Sequence, residues 1–230
     1  MTGSRRRSRL RVAVASDQSL VSDAVRTALA ERGFEPVVLR WPGEVLPRPR
    51  QPVRRGPVDV GLLVSELDRR ARIRAAGLVM RRGSAPWAVL TGAPRGPLWG
   101  AALEGGAGVV LSSETSLEDV IATLQRLAHG QTTMPEADQR VLRAAWDEQR
   151  HRDQVLRERA GSLTPREREV LLLLYSGEPV GRIAALFDVS PATVRSQVKS
   201  VLRKLEVNSQ LAAVAAVRAL LDDAADEVRS

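Results

Sequence analysis

Between residues 11 and 131, short apolar runs alternate with segments of helical spacing, and this alternation limits the first half of the chain to a layered sheet-and-helix fold. Arg11–Ala15 (R-V-A-V-A) is a short β-rich run. Ser19–Gly33 follows, with Val21, Ala24, Val25, Ala28 and Leu29 at helical spacing, Ser19 as the expected N-cap and Gly33 as the stop. Pro36–Leu39 is a second strand, and Val58–Val64 (V-D-V-G-L-L-V) is the near-continuous apolar run of a strand covered on both faces. Leu67–Gly83 reads as helix, Ala85–Thr91 as strand, Pro97–Gly105 as a short helix and Ala107–Leu111 as a fifth strand. Ser116–His129 then places Leu117, Val120, Ile121, Leu124 and Leu127 on one helical face. Short connections between such pairs imply a doubly wound, five-stranded parallel sheet. Trp41–Pro57, with Pro42, Pro47, Pro49, Pro52 and Pro57, replaces the second helix by an irregular loop in this reading.

The pattern then changes to helix throughout. Residues 132–161 are charge-balanced and rich in helix formers, and Val141, Leu142, Ala145, Trp146, Val155 and Leu156 make only a broken stripe. Such a helical linker either pairs with a second copy of itself or stays a solvated connector, and the residues leave both open. In Leu163-Thr164-Pro165-Arg166-Glu167-Arg168-Glu169-Val170-Leu171, Thr164 is an N-cap, Pro165 takes the first helical position and Glu167 closes a capping box. That helix stops at Gly177. A second spans Val180–Phe187 and ends at Asp188-Val189. A third starts at the Ser190 N-cap and runs to Leu205, and Ser209 caps a fourth through Leu221. The tight turn between the second and third gives a helix-turn-helix. Residues 222–230 form an acidic tail and residues 1–10 a basic arm.

Charge alone does not assign a partner. The chain carries a net +8, with 35 basic and 27 acidic residues, but only Lys199 and Lys204 are lysines. The excess lies in residues 1–130, and the C-terminal 69 residues are neutral. The local pattern says more. Val194, Val198, Val201, Leu202 and Leu205 face inward on the third helix, which leaves Arg195, Ser196, Lys199, Arg203 and Lys204 on a surface with no acid between Ser190 and Leu205. Long cationic donors beside short side chains suit a helix lying in a DNA major groove. Ser190 and Thr193 at its N-terminus suit phosphate contacts. The same charges also fit an ordinary solvated amphipathic helix. The surplus arginines at 5–11, 48–55 and 69–82 are either a solvated face or a source of sequence-independent DNA affinity.

Three spaced blocks resemble the four-helix LuxR-type DNA-binding domain: L-T-P-R-E-R-E-V-L at 163–171, R-I-A-A-L-F-D-V-S at 182–190 and P-A-T-V-R-S-Q-V-K-S-V-L-R-K-L at 191–205. The resemblance covers residues 162–221. It implies a recognition helix across Thr193–Lys199, with Ser190, Thr193, Val194, Arg195, Ser196, Lys199, Arg203 and Lys204 as the DNA-contacting set. It also implies that the last helix helps pair two subunits on two-fold symmetric double-stranded DNA. Arg182 stands where the family often has glutamate, and Asp188 where the turn often has Gly or Asn. Asp tolerates the left-handed conformation, so the turn is expected to survive.

Residues 11–131 resemble the receiver domain of response regulators of the NarL/FixJ branch, through the alternation and V-A-V-A-S-D-Q-S-L-V at 12–21. A working receiver needs carboxylates for Mg²⁺, an acceptor aspartate, a hydroxyl residue and a lysine at successive strand ends. Here those positions fall on Ser16 and Asp17, on Val64 (or Ser65 with a one-residue slip), on Thr91 and on Ser112. Residues 85–130 hold no lysine, and Glu66 is the nearest carboxylate to the acceptor position. The expectation is a degenerate receiver without aspartyl phosphorylation, open to an unknown small ligand, to a partner protein, or to neither. Asp17 and Thr91 also fit plain hydrogen-bonding roles at strand ends.

Zero cysteines and two distant histidines leave no thiol nucleophile, disulfide or metal cluster to expect. Gly105-Gly106-Ala107-Gly108 precedes a strand and so lacks a helix N-terminus for phosphate. Neither catalytic residues nor cofactors are expected. No apolar run is long enough to span a membrane, and Val12–Ala15 is too short for a signal-peptide core, so the expected location is cytoplasmic. The reading is a sequence-specific DNA-binding transcription regulator acting as a homodimer. The alternative is an interaction adaptor whose receiver-like part binds a partner.

Overall fold

The computed structural model describes residues 9–42, 57–131, 133–214 and 217. The chain divides into two compact units, with the boundary between Asp147 and Glu148. In the first unit, β1 (Arg11–Ser16), β2 (Glu35–Val38), β3 (Val60–Val64), β4 (Trp87–Thr91) and β5 (Ala107–Ser112) form a five-stranded sheet in the order β2-β1-β3-β4-β5. All its pairings are parallel. The helices are α1 (Ser19–Glu31), α2 (Arg70–Met80), α3 (Pro97–Gly105) and α4 (Leu117–Ala128). The step from β1 to β2 runs one way along the sheet, and the steps from β3 to β5 run the other. Right-handed crossovers therefore place α1 on one face and α2 and α3 on the opposite one. This is the expected α/β architecture. The expected loop at Trp41–Pro57 lies, from 43 to 56, outside the described residues, as do residues 1–8 of the basic arm.

Burial on both faces explains the apolar strands. Val12, Ala13, Val14 and Ala15 in β1, Val60, Leu62 and Leu63 in β3, and Ala88 and Val89 in β4 are all closed to solvent. Between β3 and β4 the Trp87 indole lies across Gly61, its register partner. A Cβ at Gly61 would stand 2.2 Å from Trp87 Cε3, so only glycine lets that ring lie flat on the sheet. The α4 helix is capped as its sequence suggests: Ser116 Oγ accepts from the Asp119 N–H, and Glu118 and Asp119 occupy the first turn. The α1 start differs from expectation. Ser19 is already helical and Gln18 stands at the N-cap without a side-chain bond. The Gln18 N–H instead reaches back to Ser16 Oγ at 3.1 Å, and that turn sets where the helix begins.

The helix α5 (Glu136–Gly161) passes from the first unit into the second. Leu142 is buried with the sheet core, whereas Leu156 and Ala160 pack in the second unit beside Leu163, Leu171, Val201 and Leu205. The second unit continues with α6 (Pro165–Tyr175), α7 (Val180–Leu186) and α8 (Pro191–Leu205), and residues 210–214 are again helical. These residues are the start of the expected fourth helix, and Ser209 caps it as expected, its Oγ accepting from the Ala212 N–H at 3.1 Å. Residues 215–216 and 218–221 of that helix and the acidic tail lie outside the described residues. Two small cores hold this unit. Leu163, Leu171, Val201, Leu205, Ala213 and Val217 make one; Val170, Leu174, Ile183, Ala184 and Val194 make the other. Because α8 supplies residues to both, its orientation is set along most of its length.

Candidate nucleic-acid interface

Turn chemistry aims α8. Phe187 ends α7, Asp188 takes φ +53° and the Val189 N–H closes on the Ala184 carbonyl at 3.0 Å, so the chain reverses within three residues. Ser190 then caps α8: its Oγ accepts from the Thr193 N–H at 3.1 Å and meets Thr193 Oγ1 at 2.9 Å, with Pro191 in the first turn. Cation–π packing of Arg166 on the Phe187 ring, 3.2 Å from its centroid, ties α6 to the end of α7.

The outer surface of α8 exposes Thr193, Arg195, Ser196, Lys199 and Arg203, and Ser190 is exposed at its start. Arg195, Lys199 and Arg203 step by four residues and form one cationic ridge roughly 12 Å long. None of the three makes an ion pair with a described residue. Ala192 and Ser196, exposed and short, lie beside the ridge and leave room for a surface to approach it. Such a ridge can take phosphate oxygens and the acceptor atoms of guanine.

Two residues of the expected contact set belong elsewhere. Val194 is 0% exposed, inside the core of α6 and α7, and its side chain cannot reach a partner. Lys204 Nζ donates to Glu167 Oε2 at 2.7 Å and to the Ser162 carbonyl at 3.2 Å, so its ammonium is already committed. Glu167 was legible in the sequence only as half of a capping box. The box is present, with the Thr164 N–H donating to Oε2 at 2.8 Å, and Ser200 Oγ adds a bond to Oε1 at 2.6 Å. One buried carboxylate thus joins the start of α6 to the last two turns of α8.

In the first unit, the expected strand-end residues form a row along one edge of the sheet. Ser16 pairs in register with Val64, and Thr91 with Ser112. Ser16 and Thr91 are buried, and Val64 and Ser112 are partly covered. Thr91 Oγ1 donates to the Glu66 carbonyl and accepts from the Ala93 N–H, both at 3.2 Å. Ser65 Oγ is buried without a hydrogen-bond partner among the described residues. The Glu66 carboxylate lies over Gly92, whose Cβ would come within 2.6 Å of it. Asp17, with a side chain 7% exposed, faces Arg72 from α2: Arg72 Nε stands 2.6 Å from Asp17 Oδ2. Sequence reading missed Arg72, because nothing in a helix of arginines singles out the one that turns inward. Among the described residues no three Asp, Glu, His or Cys side chains cluster as metal ligands.

A helix-turn-helix with a free cationic ridge on its second helix defines a nucleic-acid-binding type of module. Residues 161–217, within the second unit, match the family model "Bacterial regulatory proteins, luxR family". Across 115 residues, 49% of this chain and 50% of the relative, it is 34% identical to the nitrate/nitrite response regulator protein NarL of Escherichia coli strain K12. A nitrate/nitrite response regulator protein homolog of Haemophilus influenzae is 31% identical over 111 residues, 48% of this chain and 50% of the relative. The chain therefore spans about half the length of the curated relatives it matches. Among solved structures, it resembles the two-component response regulator RcsB in complex with DNA (22% identity, TM-score 0.40, 92% of this chain and 98% of that one). It also resembles the Salmonella typhimurium RcsB response regulator (22% identity, TM-score 0.42, 91% and 99%). No described helix is long and apolar enough to cross a membrane.

Proposed function

We propose that this chain is a sequence-specific DNA-binding transcription regulator of the response-regulator type, acting as a homodimer on a two-fold symmetric site. The observation that carries the reading is the acid-free ridge of Arg195, Lys199 and Arg203, exposed and without ion-pair partners among the described residues, on the second helix of a luxR-family helix-turn-helix. Arg195 and Lys199 read base edges, with Ser196 allowing close approach. Arg203, Ser190 and Thr193 hold phosphates. Val194 and Lys204 are left out of this set on the geometry given above. Selection from a random DNA pool tests the reading, with the full chain beside an Arg195→Ala, Lys199→Ala double variant. A symmetric motif that vanishes in the double variant is the expected result, each lost base contact costing about 1–3 kcal/mol. A motif retained by the double variant would place recognition elsewhere. No motif from either the full chain or residues 162–230 would favour the adaptor reading.

The receiver-like unit works in this reading without aspartyl phosphorylation and without catalysis. Supporting it, the strand end that would carry a phosphoryl acceptor holds Val64, which has no oxygen to offer, and Ser112 stands where a lysine would meet the phosphoryl group. Intact mass after incubation with a small phosphodonor and Mg²⁺ is the check. An unchanged mass is expected, and gain of one acid-labile phosphoryl group refutes it.

A further inference from the structure

The residues at the strand ends do not fit a divalent cation. Mg²⁺ requires several hard oxygen ligands in near-octahedral order. The position beside Asp17 is Ser16, whose hydroxyl already accepts from the Gln18 N–H. The next strand end is Val64, and the Glu66 carboxylate is turned over Gly92. That leaves Asp17, a buried carboxylate whose charge would be costly without a counter-ion. The counter-ion it has comes from the chain itself.

We propose that the Arg72 guanidinium is the resident cation of this pocket, held between Asp17 and Asp68 in the place where a receiver would hold Mg²⁺. Arg72 Nε lies 2.6 Å from Asp17 Oδ2, and Arg72 Nη1 donates to Asp68 Oδ1, also at 2.6 Å. The two carboxylates come from opposite sides of the sheet's crossover point: Asp17 follows β1, and Asp68 follows β3. The Asp17 oxygens accept no aligned hydrogen bond, so their contact with Arg72 is held by charge. A planar guanidinium presents its donors in a fixed fork, so that Arg72 Nε faces Asp17 while Nη1 faces Asp68. Asp68 lies in the loop between β3 and α2, next to Leu67, which is fully buried at φ +54°. A left-handed leucine persists only where its surroundings hold it. Fixing Asp68 beside it is one such hold. In this arrangement the chain itself supplies the pocket's cation.

This inference rests on reading the first unit as receiver-like, and its test is separate from the phosphodonor and DNA measurements. Thermal unfolding of the full chain is followed in millimolar MgCl₂ and in NaCl of matched ionic strength. The wild type is expected to give the same midpoint in both. Arg72→Ala is expected to melt several degrees lower, and methylguanidinium to restore part of the loss where methylammonium restores less. A saturable rise of the wild-type midpoint in MgCl₂ beyond the NaCl control would overturn the assignment. So would an Arg72→Ala variant as stable as wild type. If Arg72→Ala fails to fold, the Mg²⁺ comparison on the wild type still decides. Mg²⁺ stabilisation with no phosphoryl gain would remove this inference alone, whereas both together would remove the phosphorylation-independent reading as well.

Discussion

Lys204 Nζ lies 2.7 Å from Glu167 Oε2, and this pair fastens the last turn of α8 to the first turn of α6 through a carboxylate that is only 8% exposed. Burial pushes the Glu167 carboxyl up. The Lys204 ammonium, the Ser200 hydroxyl and the two Thr164 bonds outweigh burial and hold it at about 2, against an ordinary value of 4.5. A carboxylate depressed in the folded state contributes stability that is complete above its unfolded value and is lost as pH falls through the folded one. The window therefore runs from 4.5 down to about 2. Amide protection across α6 and α8, with exchange corrected for the intrinsic slowing of amide exchange in acid, should fall in wild type over that window. In Glu167→Gln exchange should be faster at neutral pH and respond less to acid. Parallel pH responses in the two proteins would deny Glu167 this role.

Neighbouring cations on α8 have opposite assignments. Lys204→Ala leaves the Glu167 carboxylate buried without its cation, and the full chain should lose roughly 1–3 kcal/mol of stability. Arg203 is exposed and unpaired among the described residues, so Arg203→Ala should change stability by less than about 0.5 kcal/mol. It should weaken DNA binding similarly on all sequences and flatten the salt dependence by about one unit. Urea denaturation and binding over a salt series separate the two effects. A stable Lys204→Ala with a flattened salt slope would return Lys204 to the phosphate contacts.

Gly100 sets how close α5 comes to α3. A Cβ at that position would stand 2.0 Å from the Leu142 carbonyl oxygen and 2.9 Å from the Trp146 Cβ, and the first of these is backbone that cannot rotate away. Gly100→Ala should therefore lift the first half of α5 off the sheet unit, at a cost of roughly 1–3 kcal/mol. The half-buried Trp146 is a reporter for this step, its fluorescence shifting red as the helix detaches. An unshifted spectrum and an unchanged midpoint would show that α3 and α5 have slack between them.

Legibility in the sequence followed the number of independent signals at each place. At 163–171 the cap, the proline, the glutamate and the apolar run agree, and the helix lies where they put it. Strand bounds moved by one or two residues, as at Glu35–Val38, because the residues that end a strand are set by its neighbours in the sheet. The broken stripe of 132–161 was unreadable as one pattern because it is two: Leu142 serves the sheet core, while Leu156 and Ala160 serve the helical one. Val194 and Lys204, placed in the expected contact set by their position on the helix, have partners inside the unit for a related reason. Position on a helical wheel gives a direction but not what stands in that direction. Lys204 meets a glutamate 37 residues earlier in the chain. Arg72 is the same case in the first unit, one arginine among several on its helix, distinguished only by Asp17 folding in from β1.

The helix-turn-helix corner makes the last prediction. Asp188 is exposed at φ +53°, a conformation that short polar residues tolerate and β-branched ones resist. Asp188→Gly should be neutral or slightly stabilising, since glycine enters the left-handed region without steric cost. Asp188→Val should cost about 1–2 kcal/mol and tilt α8 against α6 and α7, because the turn sets the angle at which Ser190 begins the helix. DNA affinity should then fall in Asp188→Val while Arg195 and Lys199 remain in place, a loss of aim with no loss of charge. Binding measured at low salt, where the ridge's charge alone dominates, should bring the variant close to wild type. Full specificity of Asp188→Val at physiological salt would mean that the angle of α8 is held by its two cores and not by the turn.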